Sequence, residues 1–301
     1  MTETATWIAV DWGTSNLRAW VFGAGDALIT QLGSDQGMGS LAPDQFEPAL
    51  LDLIAPYLGD APTPVICCGM VGARQGWQEA AYVSVPAVPP SVTNATKVPA
   101  KDPRLVPVIL PGMMQANPAD VMRGEETQIA GFLSQRPDFD GVLCLPGTHT
   151  KWVRISAGEV VSFSTYMSGE MFALLSEQSV LRHSAQSDGW DNDSFLNALD
   201  DTLSRPQNLA SRLFGLRAET LLNDMSSTIA KSRLSGFLIG LELAGAKPYW
   251  LGQEIALIGD PKLAQLYKTA LDQQGAPSEI HTGDDMTLLG LKAAYASWKD
   301  S

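Results

Sequence analysis

The chain carries the same pattern twice. Trp7-Ile8-Ala9-Val10-Asp11 is an apolar run that reads as a buried strand, and Trp12-Gly13-Thr14-Ser15 is a small-residue turn. Asn16 to Phe22 follows as a second strand, with Leu17, Ala19 and Val21 alternating against Asn16, Arg18 and Trp20. Gly23-Ala24-Gly25-Asp26 makes a hairpin turn, and Ala27 to Leu32 a third strand. In mid-chain the order returns: strand Val142 to Leu145, turn Pro146-Gly147-Thr148-His149, strand Thr150 to Ile155, turn Ser156-Ala157-Gly158-Glu159, strand Val160 to Thr165. Gly13-Thr14 falls on Gly147-Thr148 at an offset of 134, and Gly25 on Gly158 at 133. Such a repeat implies an internal duplication. In a chain of 301 residues it predicts two related α/β lobes, residues 1–134 and 135–301.

Between the repeats lie helical patterns. Pro43 to Leu58 presents Phe46, Leu50, Leu51, Leu53 and Ile54 on one face, and Glu125 to Ser134 opens after Gly124 with acids in its first turn. Helices are further expected over 170–181, 209–230, 233–246, 261–274 and 286–298, with strands over 250–258 and 279–280. Residues 85–118, rich in Pro and Ser, read as irregular backbone along an edge or cleft.

Composition narrows the function classes. Thirty-three acidic against 20 basic residues give a net charge of −13, which opposes a nucleic-acid binder or a polybasic membrane anchor. Hydrophobic residues at 45% suit a filled core, and no run is apolar enough to span a bilayer. Three cysteines, Cys67, Cys68 and Cys144, make no disulfide framework, and no Cys or His spacing suits zinc. Cys67 and Cys68 read as small buried hydrophobes. Met1 to Thr6 lacks a basic, then apolar, leader, so a cytoplasmic protein is expected.

The chemistry concentrates at the repeated turns. Phosphate oxygens need donors at close range; Gly13 lets the backbone approach, and Thr14 and Ser15 add hydroxyls. Asp11, at a strand end, suits a hydrated magnesium between terminal phosphates, with Asn16 and Arg18 projecting from one face of the next strand. A plain glycine hairpin behind an acid is the competing reading, and the second copy at Leu145 to Lys151 weighs against it.

Asp11-Trp12-Gly13-Thr14-Ser15-Asn16-Leu17-Arg18-Ala19 resembles the first phosphate motif of the actin-like (ribonuclease H-like) ATPase superfamily, in the form used by sugar kinases. Further blocks narrow the resemblance to the 2-dehydro-3-deoxygalactonokinase family: Gly69 to Trp77, Val121 to Gln128, Leu145 to Val153, Met167 to Glu170, Ser235 to Gly240 and Ile258-Gly259. The resemblance implies two actin-like lobes with a duplicated βββα core and a nucleotide cleft between them. It further implies ATP with Mg2+, and transfer to the 6-hydroxyl of 2-dehydro-3-deoxy-D-galactonate in galactonate breakdown.

On that resemblance, Gly147, Thr148 and His149 cup the β- and γ-phosphates, Lys151 adds charge and Gly259 faces the adenosine. The competing reading of Lys151 is a solvated strand residue. The wider superfamily has an acid before the second turn; here Leu145-Pro146 stands there. Glu125, after Gly124, is the first choice of catalytic base and Glu126 the alternative, although paired acids also simply suit a helix N-terminus. Arg18, Arg74 and Arg123 are candidates for the substrate carboxylate. Gln75 and Asn16 are candidates for its hydroxyls, and Trp77 for a pocket cap or a core aromatic. An acidic protein must gather Arg18, Arg74, Arg123 and Lys151 at its site to hold two anions. Other sugar acids or hexoses, an actin- or chaperone-like ATPase, and a phosphohydrolase are the alternatives on this fold. The partners are then ATP and a small sugar acid, with neither nucleic acid nor membrane.

Overall fold

The computed structural model describes residues 3–299; Met1 and Thr2 of the leader reading lie outside the described residues. The expected meander is present as β1 (Trp7–Trp12), β2 (Leu17–Phe22) and β3 (Leu28–Ser34). Helix α1 (Phe46–Ile54) ends in a 3-10 turn at Pro56, so the helix predicted over 43–58 is shorter. β4 (Thr63–Gly69) then lies parallel to β1, with Asp11 opposite Cys68.

Residues 85–118 are not irregular. After β5 (Tyr82–Ser84) they contain β6 (Thr96–Lys97), β7 (Leu105–Ile109) and β8 (Gly112–Ala116), followed by β9 (Ala119–Met122). Proline is tolerated beside the edge strand: β6 pairs with Val108 and Ile109, Val98 N–H still donates to Pro107 C=O at 3.0 Å, and the ring forgoes only the return bond. Helix α2 (Glu125–Gln135) follows.

The second meander is β10 (Gly141–Leu145), β11 (Thr150–Ser156) and β12 (Glu159–Tyr166). Helices α3 (Ser168–Glu177), α4 (Asn192–Ser204), α5 (Leu209–Leu222), α6 (Ser227–Gly245) and the single turn α7 (Lys247–Trp250) come next. β13 (Ile255–Gly259), α8 (Pro261–Gln273), β14 (Ser278–Thr282) and α9 (Gly283–Lys299) complete the chain.

Helix α4 was not expected, although Asp191 announces it by capping Ser194 N–H at 2.8 Å. The break placed after 230 lies instead at 223–226, where Asp224 has φ +52° and the Ser226 side chain caps Ile229 N–H. The strand expected over 250–258 is confined to β13 because Lys247–Trp250 close a helical turn.

The duplication is explicit in the sheets. One runs β3-β2-β1-β4-β7-β6 and the other β12-β11-β10-β13-β14, so the two share the order of five strands, with antiparallel meanders followed by parallel partners. This is one mixed α/β sheet pattern, made twice.

The chain forms two compact units. Among the described residues the first holds 3–139, 156–162 and 283–299, and the second 140–155 and 163–282. The closing helix, counted with 135–301 in the sequence reading, thus packs in the first unit. Trp7 stacks on Phe22 and on Tyr295 of α9, at ring distances of 4.3 and 4.1 Å. Cores on both sheet faces bury Ile8, Val10, Cys67 and Phe46, and Ala9, Cys68, Val108 and Leu291. In the second unit Val142, Cys144, Trp152, Leu243, Leu257 and Tyr267 are buried together. All three cysteines are free and buried, Cys67 and Cys68 as read from their apolar run. Among the described residues no helix is long and apolar enough to cross a membrane.

Candidate active site

In the first unit three backbone turns converge on Asp11. The Gly13–Asn16 turn closes when Gly13 N–H donates to Asn16 C=O at 2.9 Å. Met38 N–H and Gly39 N–H bind Gly13 C=O and Thr14 C=O, each at 2.9 Å, and a Cβ on Gly37 would stand inside 3.0 Å of the Thr14 carbonyl. The carbonyls are thereby turned inward, while Thr14, Ser15 and Asn16 stay exposed. Gly69, with φ +89°, turns the chain at the end of β4 against Trp12 C=O and the Asp11 carboxylate. Gly124, with φ +103°, brings the start of α2 to within contact of Gly69.

The carboxylates at this point differ sharply. Asp11 pairs with Arg18, which also binds Asp284 at the start of α9. Burial works to lower the Arg18 pKa, but the two carboxylates outweigh it and hold the guanidinium charged. Glu126 is 1% exposed, and Gly124 N–H donates to both its oxygens at 2.8 and 2.7 Å. Burial, then the neighbouring Glu125 charge, pushes its pKa up to about 8. Glu125 is only half-buried; one of its oxygens accepts Arg123 N–H at 3.0 Å. Of the two acids, Glu125 alone has solvent-facing surface from which to meet a substrate hydroxyl.

The cations that the sequence groups together have four different settings. Arg74, like Gln75, is exposed. Arg123 lies over the Tyr82 ring at 4.3 Å and donates from Nη2 to Ala80 C=O at 2.8 Å, while its Nε and Nη1 are buried without partners. Gly72 packs against Nη1, so Arg123 ties the Gly69–Trp77 block to the start of α2. Lys151 is not solvated: it is 4% exposed, with Nζ 3.4 Å from His149 C=O. It stands opposite Leu145 as Arg18 stands opposite Asp11, so the position held by a carboxylate in the first sheet is held by an apolar side chain in the second. Trp77 packs with Trp12 and Phe46 at ring distances of 6.1 and 6.5 Å, the core reading.

In the second unit the Gly147-Thr148 turn repeats the brace. Glu170 N–H binds Thr148 C=O at 3.0 Å, and a Cβ on Gly169 would stand inside 3.0 Å of the Gly147 carbonyl. Gly147 itself has nothing within 4 Å of its would-be Cβ, which leaves open space for a ligand against the backbone. His149 Nε2 meets Glu170 Oε2 at 2.6 Å, both half-exposed. A pocket of about 1010 Å³ opens from this turn, with walls from Ser168 and Gly169 of α3, Ser235 and Ile239 of α6, and Leu266 and Tyr267 of α8. Gly259 lies behind the wall against Pro146 C=O, and its neighbours Asp260 and Pro261 reach the pocket instead. Ser168, Glu170 and the α6 wall carried no assigned role in the sequence. Ser235 to Gly240 lie within α6, where Gly236 and Gly240 admit the backbone of α4.

No cluster of three or more His, Cys, Asp or Glu suited to a metal occurs among the described residues. Asp11, a single carboxylate at a strand end, fits a magnesium that keeps most of its water and is held mainly by phosphates.

A family model described as 2-keto-3-deoxy-galactonokinase matches residues 11–294. The chain belongs to the 2-keto-3-deoxy-galactonokinase family. It is 38% identical, over 98% of both chains, to the "Probable 2-dehydro-3-deoxygalactonokinase DgoK1" of Rhizobium meliloti (strain 1021). It is 31% identical to the 2-dehydro-3-deoxygalactonokinase of Escherichia coli (strain K12), over 96% of this chain and 97% of that one. A crystal structure from Sinorhizobium meliloti that carries the same kinase name superposes with a TM-score of 0.91 at 37% identity, covering 97% of this chain and 99% of that chain. Membership of the galactonokinase family therefore extends over both units.

Proposed function

We propose that the chain is an ATP-dependent kinase that phosphorylates the 6-hydroxyl of 2-dehydro-3-deoxy-D-galactonate in galactonate catabolism. The observation that carries this reading is the family match from 11 to 294, which spans both braced Gly-Thr turns and the Glu125 helix start.

Glu125 accepts the proton of the 6-hydroxyl, since of the two acids at the α2 N-terminus it is the one that is partly exposed. Glu126 holds the Gly124 turn from beneath, and Arg123 fixes that turn to the Gly69–Trp77 block. Arg74 takes the substrate carboxylate in a bidentate pair, with Gln75 and Asn16 on its hydroxyls. Gly13, Thr14 and Ser15 supply donors for phosphate oxygens in the first unit. Gly147, Thr148 and His149 do so in the second, with Lys151 contributing charge from beneath the turn. The adenosine occupies the pocket bounded by α3, α6 and α8. Magnesium, oriented by Asp11, would neutralise charge on the transferring phosphoryl group. Arg18 holds Asp11 in place by its ion pair.

A coupled ADP-release assay with the galactonate- and gluconate-derived epimers tests the reading. Turnover dependent on the galactonate epimer is expected, and equal or absent turnover with it overturns the assignment.

A further inference from the structure

Behind the second-unit pocket lies a buried acid that the proposed chemistry does not use. Glu242 of α6 is 1% exposed. Its Oε1 accepts Trp152 Nε1–H at 2.8 Å, its Oε2 accepts the Tyr267 hydroxyl at 2.9 Å, and the Ser168 hydroxyl also bonds to it. The Tyr267 oxygen in turn lies 2.9 Å from Thr150 Oγ1. Two of these groups, Ser168 and Tyr267, are walls of the pocket, and Thr150 is the residue after His149 on the second turn. One carboxylate thus gathers donors from α3, α8 and β11 around a single point.

We propose that Glu242 is a positioning residue for the nucleotide: as a carboxylate it fixes the Ser168 hydroxyl and the Tyr267 ring in the orientation that the bound nucleotide meets. The inference rests on the reading that this pocket takes the nucleotide.

The donor arithmetic gives the device its direction. An ionised carboxylate accepts all three bonds. Trp152 can only donate, and Tyr267 donates to Glu242 while accepting from Thr150. A protonated Glu242 has a hydrogen of its own to place. It must then turn Ser168 towards the pocket, or reverse the Tyr267–Thr150 bond; either changes the wall. The titratable groups facing it are the Cys144 thiol from β10, Tyr166 from β12 and Tyr267 from α8, none of them cationic. With burial unopposed by a positive charge, the Glu242 pKa rises to about 7, so both forms are populated near neutrality.

Steady-state kinetics from pH 6 to 8 tests this, with KM for ATP and for the acceptor measured separately. In the unaltered protein KM for ATP should fall about five- to tenfold across neutrality, the effect of about one hydrogen bond, with the acceptor KM unmoved by this step. Glu242→Gln should hold KM for ATP at its acid-side value at every pH. Ser168→Ala, which leaves the buried acid in place, should weaken ATP and flatten the same step, and decides the matter if the Gln variant does not fold. A wild-type pH profile in whichever of these variants folds overturns the proposal. ADP binding to Leu266→Trp, which fills the pocket, separates the two readings. If that variant binds ADP normally, the nucleotide reading of the pocket falls. If it loses ADP while the first two variants behave as wild type, only the role of Glu242 falls.

Discussion

Glu126→Gln should make the protein more stable in alkali, although it alters a residue at the centre of the site. The native carboxyl is 1% exposed and holds its proton to about pH 8, whereas the unfolded chain releases it near 4.5. Between those values the native state binds a proton that the unfolded state does not. Stability therefore declines as pH rises through this window and levels off above it. The full shift corresponds to about 5 kcal/mol, of which about 3 kcal/mol is already felt at pH 7. Glutamine has nearly the same shape, still accepts Gly124 N–H through its carbonyl and carries no charge to bury. Urea unfolding of both proteins at pH 5, 7 and 9 measures the difference. We expect near equality at pH 5 and an advantage to the variant of a few kcal/mol at pH 9. Glu242 is present in both proteins, so its own titration cancels. A difference that stays constant with pH would refute the assignment of a protonated, buried Glu126. The same variant should keep kcat within about tenfold of wild type, because a carboxyl held under the turn is not the base.

Glu125→Gln should instead lower kcat by about a hundred- to ten-thousandfold with KM for ATP nearly unchanged, read by single-turnover ADP release. Arg74→Ala should raise KM for the sugar acid at least tenfold, roughly the worth of one charge-assisted pair, and Arg123→Ala should chiefly lower Tm by freeing the start of α2. Gly169→Ala should push the Gly147 carbonyl out of place; weakened ADP binding in calorimetry, with the first unit's hydrogen-exchange protection unchanged, checks this.

The parts of the site legible in the sequence are those whose chemistry is local. A Gly-Thr pair between two apolar alternations specifies a tight turn with free N–H groups, and it recurs at the expected interval. The braces were hidden because they come from Gly37–Gly39 and from Ser168–Glu170, more than twenty residues from the turns they hold. The setting of Lys151 was equally unreadable: a charge on a strand suggests solvent, and only the sheet register reveals that it occupies the place of Arg18. The strands within 85–118 were masked by prolines that a place beside the edge strand tolerates. Helix α4 had its cap in plain view at Asp191 and an apolar face at Phe195, Ala198 and Leu199, but that face is narrow and set among Asp, Asn and Ser residues that read as loop. Choosing between Glu125 and Glu126 needed burial, which two adjacent identical letters cannot express.

The return of α9 to the first unit inverts the order in which the protein can be finished. Helices α2 and α9 meet so closely that Gly131 faces the Met286 carbonyl and Gly290 that of Thr127. On the ribosome α9 emerges only after every residue of the second unit. The first-made unit must therefore wait with one flank of its sheet, Trp7 and Ala9 included, uncovered while the later one completes its core. Nascent chains stalled before residue 283 should accordingly protect the second unit from protease and leave the first one cleavable.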